Sequence, residues 1–600
     1  MIKLSDYAID FVAHAGVKHI FMLAGGGCMH LADSVGRAKD LEYVCCLHEQ
    51  ACAFAAEAYA EYTNHLGAAL VTTGPGGTNA VTGVAAAWIE GASCLFLSGQ
   101  AKRADLIGTS GVRSMGPQEV DIVSIVRPIT KYAKTILDPQ SIRYELEKAV
   151  HFATHGRRGP VWLDIPLDVQ ATMLDESSLP GYPSEEEPGT TPELQEQVAA
   201  AIDLLNQSQR PVLLLGSGVR TAAAAGLVKR LVETLKIPVL LTWKVVDLLA
   251  EENEYYAGRP GAIGQRGANF TQQNADCMMV LGSRLDLPQT AFSHENFARA
   301  ASKVVVDIDA TEIAKLNMPI DVPVCADAAE FIAELLRQSG KLTQKDRTCW
   351  VKRSREWQKQ YPVVLPEYAA TEGVVNVYTL MDALSEELSA DDLLVPGSSG
   401  PCSDIFMQAF RVKAGQRVVN APGLGAMGTG LPGSIGACLA SGRRRTVCVN
   451  GDGGFQLNIQ ELETVNRLKL PIKYFVLCNG GYASIMTAQR THFQGRYAGS
   501  EPSSHLTLPE LVPVARAYGI RTVEIHDHSD LHEGIQEALN YDGPVVIAVH
   551  TAAEQAVAPR ATSMMRADGS MVSRPMEEMW PLLDREEFLA NMIVPPLEES

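Results

Sequence analysis

The residue types with the most chemical potential in this 600-residue chain lie in Gly451-Asp452-Gly453-Gly454-Phe455-Gln456-Leu457-Asn458 and in Cys478-Asn479-Gly480-Gly481. An apolar, β-prone run, Arg445 to Asn450, precedes the first stretch, and its glycines call for a tight turn. Ile459 to Leu468 follows with apolar residues at helical spacing, then Pro471 and a second strand, Ile472 to Leu477. Asp452 and Asn479 therefore sit at the carboxyl ends of two parallel strands, the edge where a doubly wound sheet binds ligands. A carboxylate and an amide oxygen there are hard donors, suited to a small octahedral cation that keeps positions for substrate phosphate. The pairing predicts a Mg²⁺-diphosphate site.

The chain is too long for one core, which points to three or four domains. Residues 1–175 alternate strands and helices: a strand ending in Gly25-Gly26-Gly27, an alanine-rich helix opening near His48-Glu49, and a strand ending in Thr73-Gly-Pro75-Gly-Gly-Thr-Asn79. Residues 176–192 are rich in proline and acid and read as a linker. A second α/β unit spans 193–345, with Leu215-Gly216-Ser217-Gly218, Arg284 and Asp307-Ile308-Asp309 at strand ends. Lys341 to Lys359 reads as a helical connector to a third unit at 370–555, which holds the Gly-Asp-Gly. Residues 556–600 form a tail expected to drape over the body. The fold class is α/β, three doubly wound parallel-sheet domains plus that tail.

The net charge of −19 disfavours nucleic acid and anionic membrane as partners. Twelve cysteines without a Cys-x-x-Cys suit a reducing cytoplasm, and no stretch reaches the length of a membrane span.

The Gly-Asp-Gly followed by Asn479 resembles the thiamine diphosphate (ThDP) enzymes, and the motif order over residues 1–555 resembles their acetolactate synthase branch: Ala24-Gly25-Gly26, His48-Glu49, Thr73 to Asn79, Ser98-Gly-Gln100, Gln118-Glu119, Asp307-Ile-Asp309 and Gly451-Asp-Gly453. The resemblance implies Asp452, Asn479 and the Gly481 carbonyl as Mg²⁺ ligands, with Cys478 replacing the usual first Asn of the pair. It implies Glu49 as the carboxyl that activates the aminopyrimidine, Met427 as the wedge that bends the cofactor, and the Gly425 carbonyl as acceptor for its amino group. Gly397, Ser398 and Ser399 fall where the family contacts diphosphate. Gly25, Thr73, Pro75, Asn79, Gly453, Gly454 and Tyr482 complete the cofactor set, and Gln118 faces the substrate.

The activity so implied decarboxylates pyruvate or a similar 2-oxo acid and passes the acyl-anion equivalent to an acceptor carbonyl. With Glu49 in the first domain and Asp452 in the third, the family builds each site between two chains, which makes a homodimer the minimum and a homotetramer the expectation. The middle domain sets FAD, which some relatives bind, against a purely structural role, since Gly216-Ser-Gly218 is a partial dinucleotide fingerprint. A catalytically silent ThDP-binding paralogue is disfavoured by intact Glu49, Asp452 and Asn479. Decarboxylases of this fold carry a His-His pair that is absent here. Acetolactate synthases place a Phe just before the Gln-Glu pair and a Trp in the stretch after the metal-binding Asn, where this chain has Pro117 and Ala488. Smaller residues there imply an acceptor larger than pyruvate, such as a keto-sugar nucleotide or a diketone.

Overall fold

The computed structural model describes residues 1–183, 191–397, 399–553, 555–565 and 571–597. Each of the three domains is built on a six-stranded parallel sheet. In the first, β1 (His19–Met22), β2 (Glu42–Cys45), β3 (Gly67–Val71), β4 (Cys94–Gln100), β5 (Tyr132–Thr135) and β6 (Val161–Pro166) lie in the order β2-β1-β3-β4-β6-β5. In the second, β7 (Pro211–Leu215), β8 (Val239–Leu241), β9 (Tyr256–Gly258), β10 (Cys277–Leu281), β11 (Ser302–Asp307) and β12 (Val322–Cys325) lie β9-β8-β7-β10-β11-β12. In the third, β13 (Leu393–Pro396), β14 (Arg417–Val418), β15 (Thr446–Gly451), β16 (Ile472–Cys478), β17 (Arg521–Ile525) and β18 (Val545–His550) lie β14-β13-β15-β16-β18-β17. Central strands such as β3, β7 and β10 are buried along their whole length, as continuous apolar runs with helices on both faces must be.

The helix Glu49–Thr63 is alanine-rich, and Ala51 to Ala60 are all buried. An apolar surface all round a helix needs a partner on every side. One partner is the third-domain helix Gly430–Ala440, where a Cβ on Gly436 would lie 2.0 Å from the Ala55 carbonyl oxygen, so only glycine permits this crossing. Polar contacts fix the same junction: Leu47 N–H donates to Glu461 Oε1 at 2.8 Å, and Asn458 Nδ2 donates to Gln50 Oε1 at 3.0 Å. The middle domain joins through Lys244, whose ammonium lies 2.7 Å from Glu61 and 3.2 Å from Glu90 and also reaches the Asn420 carbonyl.

Three local expectations need correction. Residues 452–456 form a short helix instead of a simple turn, because Asp452 continues directly from β15 into helical geometry. The connector helix is Thr348–Gln360, later than Lys341 to Lys359, with Asp346 Oδ1 accepting the Thr348 N–H at its start. The linker's far end, Pro192, already opens the helix Pro192–Gln207, while 184–190 lies outside the described residues.

The tail does cover the body, and its target is specific. The middle-domain helix Arg266–Gln273 is polar yet wholly buried. Tail carbonyls accept its side-chain donors: Met576 O from Asn269 at 2.9 Å, Met579 O from Arg266 at 3.2 Å, and Asn591 O from neighbouring Asn274 at 3.0 Å. Among the described residues, no helix is long and apolar enough to cross a membrane.

Candidate active site

β15 and β16 run parallel in register from Thr446 beside Ile472 to Gly451 beside Leu477, which brings Asp452 and Asn479 to one sheet edge. The Asp452 carboxylate accepts three backbone N–H groups: Gly453 on Oδ1 at 2.7 Å, and Asn479 and Gly480 on Oδ2 at 3.0 and 2.8 Å. Burial still pushes its pKa up against those donors. A buried carboxylate short of positive charge is suited to a cation. Asn479 Oδ1 accepts the Gly481 N–H at 3.2 Å, completing an oxygen-lined turn.

A cavity opens over this turn, and every residue lining it belongs to the third domain. Ser399, Met427, Asp452, Gly453, Gly454, Asn479, Gly481 and Tyr482 are all in its wall. Gly397 and Gly425 are not; the Gly397 N–H is spent on Val449 O at 2.7 Å. Ser398 lies outside the described residues. Gly453 is required by packing, since a Cβ there would sit 2.4 Å from the Tyr482 ring, which lies against its Cα. The wall also holds a residue that sequence reasoning passed over, Asn450, whose buried Nδ2 has no partner within the chain. An amide at the end of an apolar strand was the available signal. The hard oxygen donors and the orphaned amide fit a diphosphate with a divalent metal.

The first-domain candidates gather elsewhere. Glu49 opens its helix, 7 % exposed, and Asn79 Nδ2 donates to Glu49 Oε2 at 3.0 Å. Gly25 packs against Thr72, and a Cβ on Gly76 would approach Glu49 Oε1 to 3.6 Å. Pro75 starts the helix Pro75–Glu90, and Thr73 Oγ1 beside it is buried without a partner. Gln118 is exposed and held at φ +66°, a conformation few non-glycine residues adopt, with its carbonyl against Gly74. Behind it, buried Glu119 accepts the N–H of Ile107 at 3.1 Å and of Met115 at 3.4 Å, which shapes the loop. Within one chain, none of this group lines the third-domain cavity.

A second pocket lies where the middle domain meets the first, lined by Ser217, Gly218, Arg284, Asp307, Arg157 and Arg158 among others. The Gly218 N–H donates to Gly282 O at 2.8 Å and is not free for phosphate.

Comparison with known proteins agrees with this division. Family models of thiamine pyrophosphate enzymes match in three blocks: the N-terminal TPP binding domain over residues 2–125, the central domain over 198–335 and the C-terminal TPP binding domain over 398–549. Similar proteins include the acetolactate synthase large subunit of Pyropia yezoensis, 31% identical over 549 residues and 90% of each chain. That of Parasynechococcus marenigrum (strain WH8102) is 32% identical over 554 residues, covering 90% of this chain and 86% of the relative. The acetolactate synthase isozyme 1 large subunit of Escherichia coli (strain K12) is 28% identical over 557 residues, 92% and 95% of the two chains.

Proposed function

The chain belongs to the thiamine pyrophosphate enzymes, as a C–C bond-forming member of the acetolactate synthase-like branch, and from that premise we propose that it decarboxylates pyruvate or a close 2-oxo acid and transfers the acyl unit to a ketone larger than pyruvate. The observation that carries the cofactor part is the Asp452 carboxylate, tied by three N–H groups in the wall of a cavity that also holds the unpartnered Asn450 Nδ2. Asp452, Asn479 and the Gly481 carbonyl would hold Mg²⁺, and Ser399, Gly453, Gly454 and Asn450 the diphosphate. Bound there, ThDP supplies an electron sink for the carbanion left by loss of CO₂.

The chain's own groups divide the remaining work. Glu49, with Oε2 held by Asn79, presents Oε1 to share a proton with the pyrimidine ring. Met427, in the cavity wall beside Gly453, would pack against the rings of the cofactor. Gln118, held out from its loop by the strained backbone, meets the substrate. Because the cavity has no wall from the first domain, a second copy's Glu49 edge is the natural cover, which supports a homodimer or a pair of dimers. Free cysteines throughout suit a reducing cytoplasm.

The acceptor reading rests on Pro117 and Ala488, both exposed and both small where acetolactate synthases carry aromatics. Product analysis tests it: pyruvate is supplied with an aldehyde, a 2-oxo acid, a diketone and a keto-sugar nucleotide. The diketone or keto-sugar adduct should dominate; acetolactate dominating in every mixture would refute it. FAD in the middle domain is supported by Asp307, which ends β11 in the wall of the second pocket, and opposed by the occupied Gly218 N–H. Flavin absorbance in the purified protein decides that point.

A further inference from the structure

The third sheet carries another cluster of ligand-type side chains, one that the proposed reaction does not use. β17 and β18 are parallel, with Glu524 beside Ala548 and Ile525 beside Val549. One step further, His526 comes beside His550, the last residue of β18. Side chains alternate along a strand, so Glu524 and His526 share a face. The two imidazoles are stacked, ring centres 4.6 Å apart and planes 15° from parallel. Glu524 Oε2 lies 3.7 Å from His550 Nε2, too long for a hydrogen bond. One ligand atom from each of the three residues lies within 4.8 Å of the others. His550 Nε2 is shielded from solvent and has no hydrogen-bond partner, although the ring itself is partly exposed.

Two imidazoles and a carboxylate form a donor set found in zinc sites that keep an open position for water. Zn–N and Zn–O bonds of about 2.0–2.2 Å require the donors to draw closer than they stand. Glu524 and His526 are exposed, so side-chain rotation achieves this without moving either strand. The nitrogen donors favour zinc, nickel or copper over magnesium, whereas the oxygen set at Asp452 and Asn479 favours magnesium. The two positions are neighbours with different walls: none of the three side chains lines the diphosphate cavity, although His550 pairs across the ladder with Cys478, one residue before Asn479.

We infer that Glu524, His526 and His550 form a surface site for a transition-metal dication of the zinc class, one strand away from the diphosphate cavity. The site is tested on the full-length protein saturated with Mg²⁺, by titrating Zn²⁺ against a chromogenic chelator. Wild type should bind one more equivalent per chain than His526→Ala or His550→Ala, and Glu524→Gln should bind that equivalent at least tenfold more weakly. Cobalt(II) should give visible d–d absorption in wild type that both histidine variants lack. Thermal midpoints read beside each titration show which variants are folded, and any one folded histidine variant is sufficient for the comparison. Equal zinc stoichiometry in wild type and a folded histidine variant would overturn the site, whatever the outcome for carboligation.

Discussion

Asp452 and Asn479 belong to the ends of adjacent strands, and Asp452 Oδ2 holds the Asn479 backbone N–H at 3.0 Å, so the two groups proposed to bind metal also fix each other's position. The hydrogen bond locks the second strand-end loop to the first, and burial leaves the carboxylate in want of a cation.

The first prediction follows from that coupling. Asp452→Ala removes a metal ligand and leaves three backbone donors without their acceptor. Mg²⁺-dependent ThDP binding measured by calorimetry should be abolished. Unchanged affinity would place the metal elsewhere.

Acceptor choice gives the second. Ala488 lies exposed on the helix Ala483–Phe493 that follows Tyr482. Ala488→Trp adds an aromatic surface of about 150–250 Å² and should shift products from the bulky-ketone adduct toward acetolactate. Equal product ratios in the two proteins would contradict the enlarged acceptor space.

The tail supplies the third. Asn591 Oδ1 accepts the buried Trp357 Nε1–H at 2.8 Å and an Arg353 N–H at 3.2 Å. Asn591→Ala leaves the indole N–H unsatisfied, a loss of about 1–3 kcal/mol. The thermal midpoint should fall while turnover per folded enzyme holds; an unchanged midpoint would show that the tail contact is idle.

How far the sequence was readable divides along similar lines. The Gly-Asp-Gly and Asn479 were legible because apolar strands and glycine turns announce a sheet edge locally. The three-sheet fold followed from the same alternation. Arg266 to Gln273 was not legible: the stretch is largely polar and carries no apolar stripe, and distant tail carbonyls make its burial affordable. The Glu524, His526 and His550 cluster was hidden likewise, since strand pairing alone brings His550 beside the other two. Asn450 was overlooked because a lone amide ending a strand usually closes a turn.

The fourth prediction concerns pH. Asp164, buried on β6, accepts Ser98 Oγ at 2.5 Å and Gln100 Nε2 at 3.0 Å; Gln100 in turn holds Val120 O behind the Gln118 loop. Burial pushes the Asp164 carboxyl up to about 7, whereas the unfolded chain titrates at about 3.9. Between these values the folded protein keeps a proton that the unfolded chain has lost, so this group's stabilising contribution is full below about pH 4 and is lost as pH rises through 7. The deficit in thermal midpoint of Asp164→Asn should therefore be greatest near pH 4 and shrink toward pH 8. A deficit independent of pH would contradict the raised value.

The central claim, ThDP-dependent decarboxylation driven by the Glu49 carboxyl, is tested most directly by CO₂ release from pyruvate in Glu49→Gln. The glutamine amide oxygen keeps an acceptor for Asn79 Nδ2, so the fold and ThDP binding should persist. Release should fall by about 10²–10⁴-fold, the range for a lost acid–base group; a rate near wild type, with ThDP bound, would contradict the assignment.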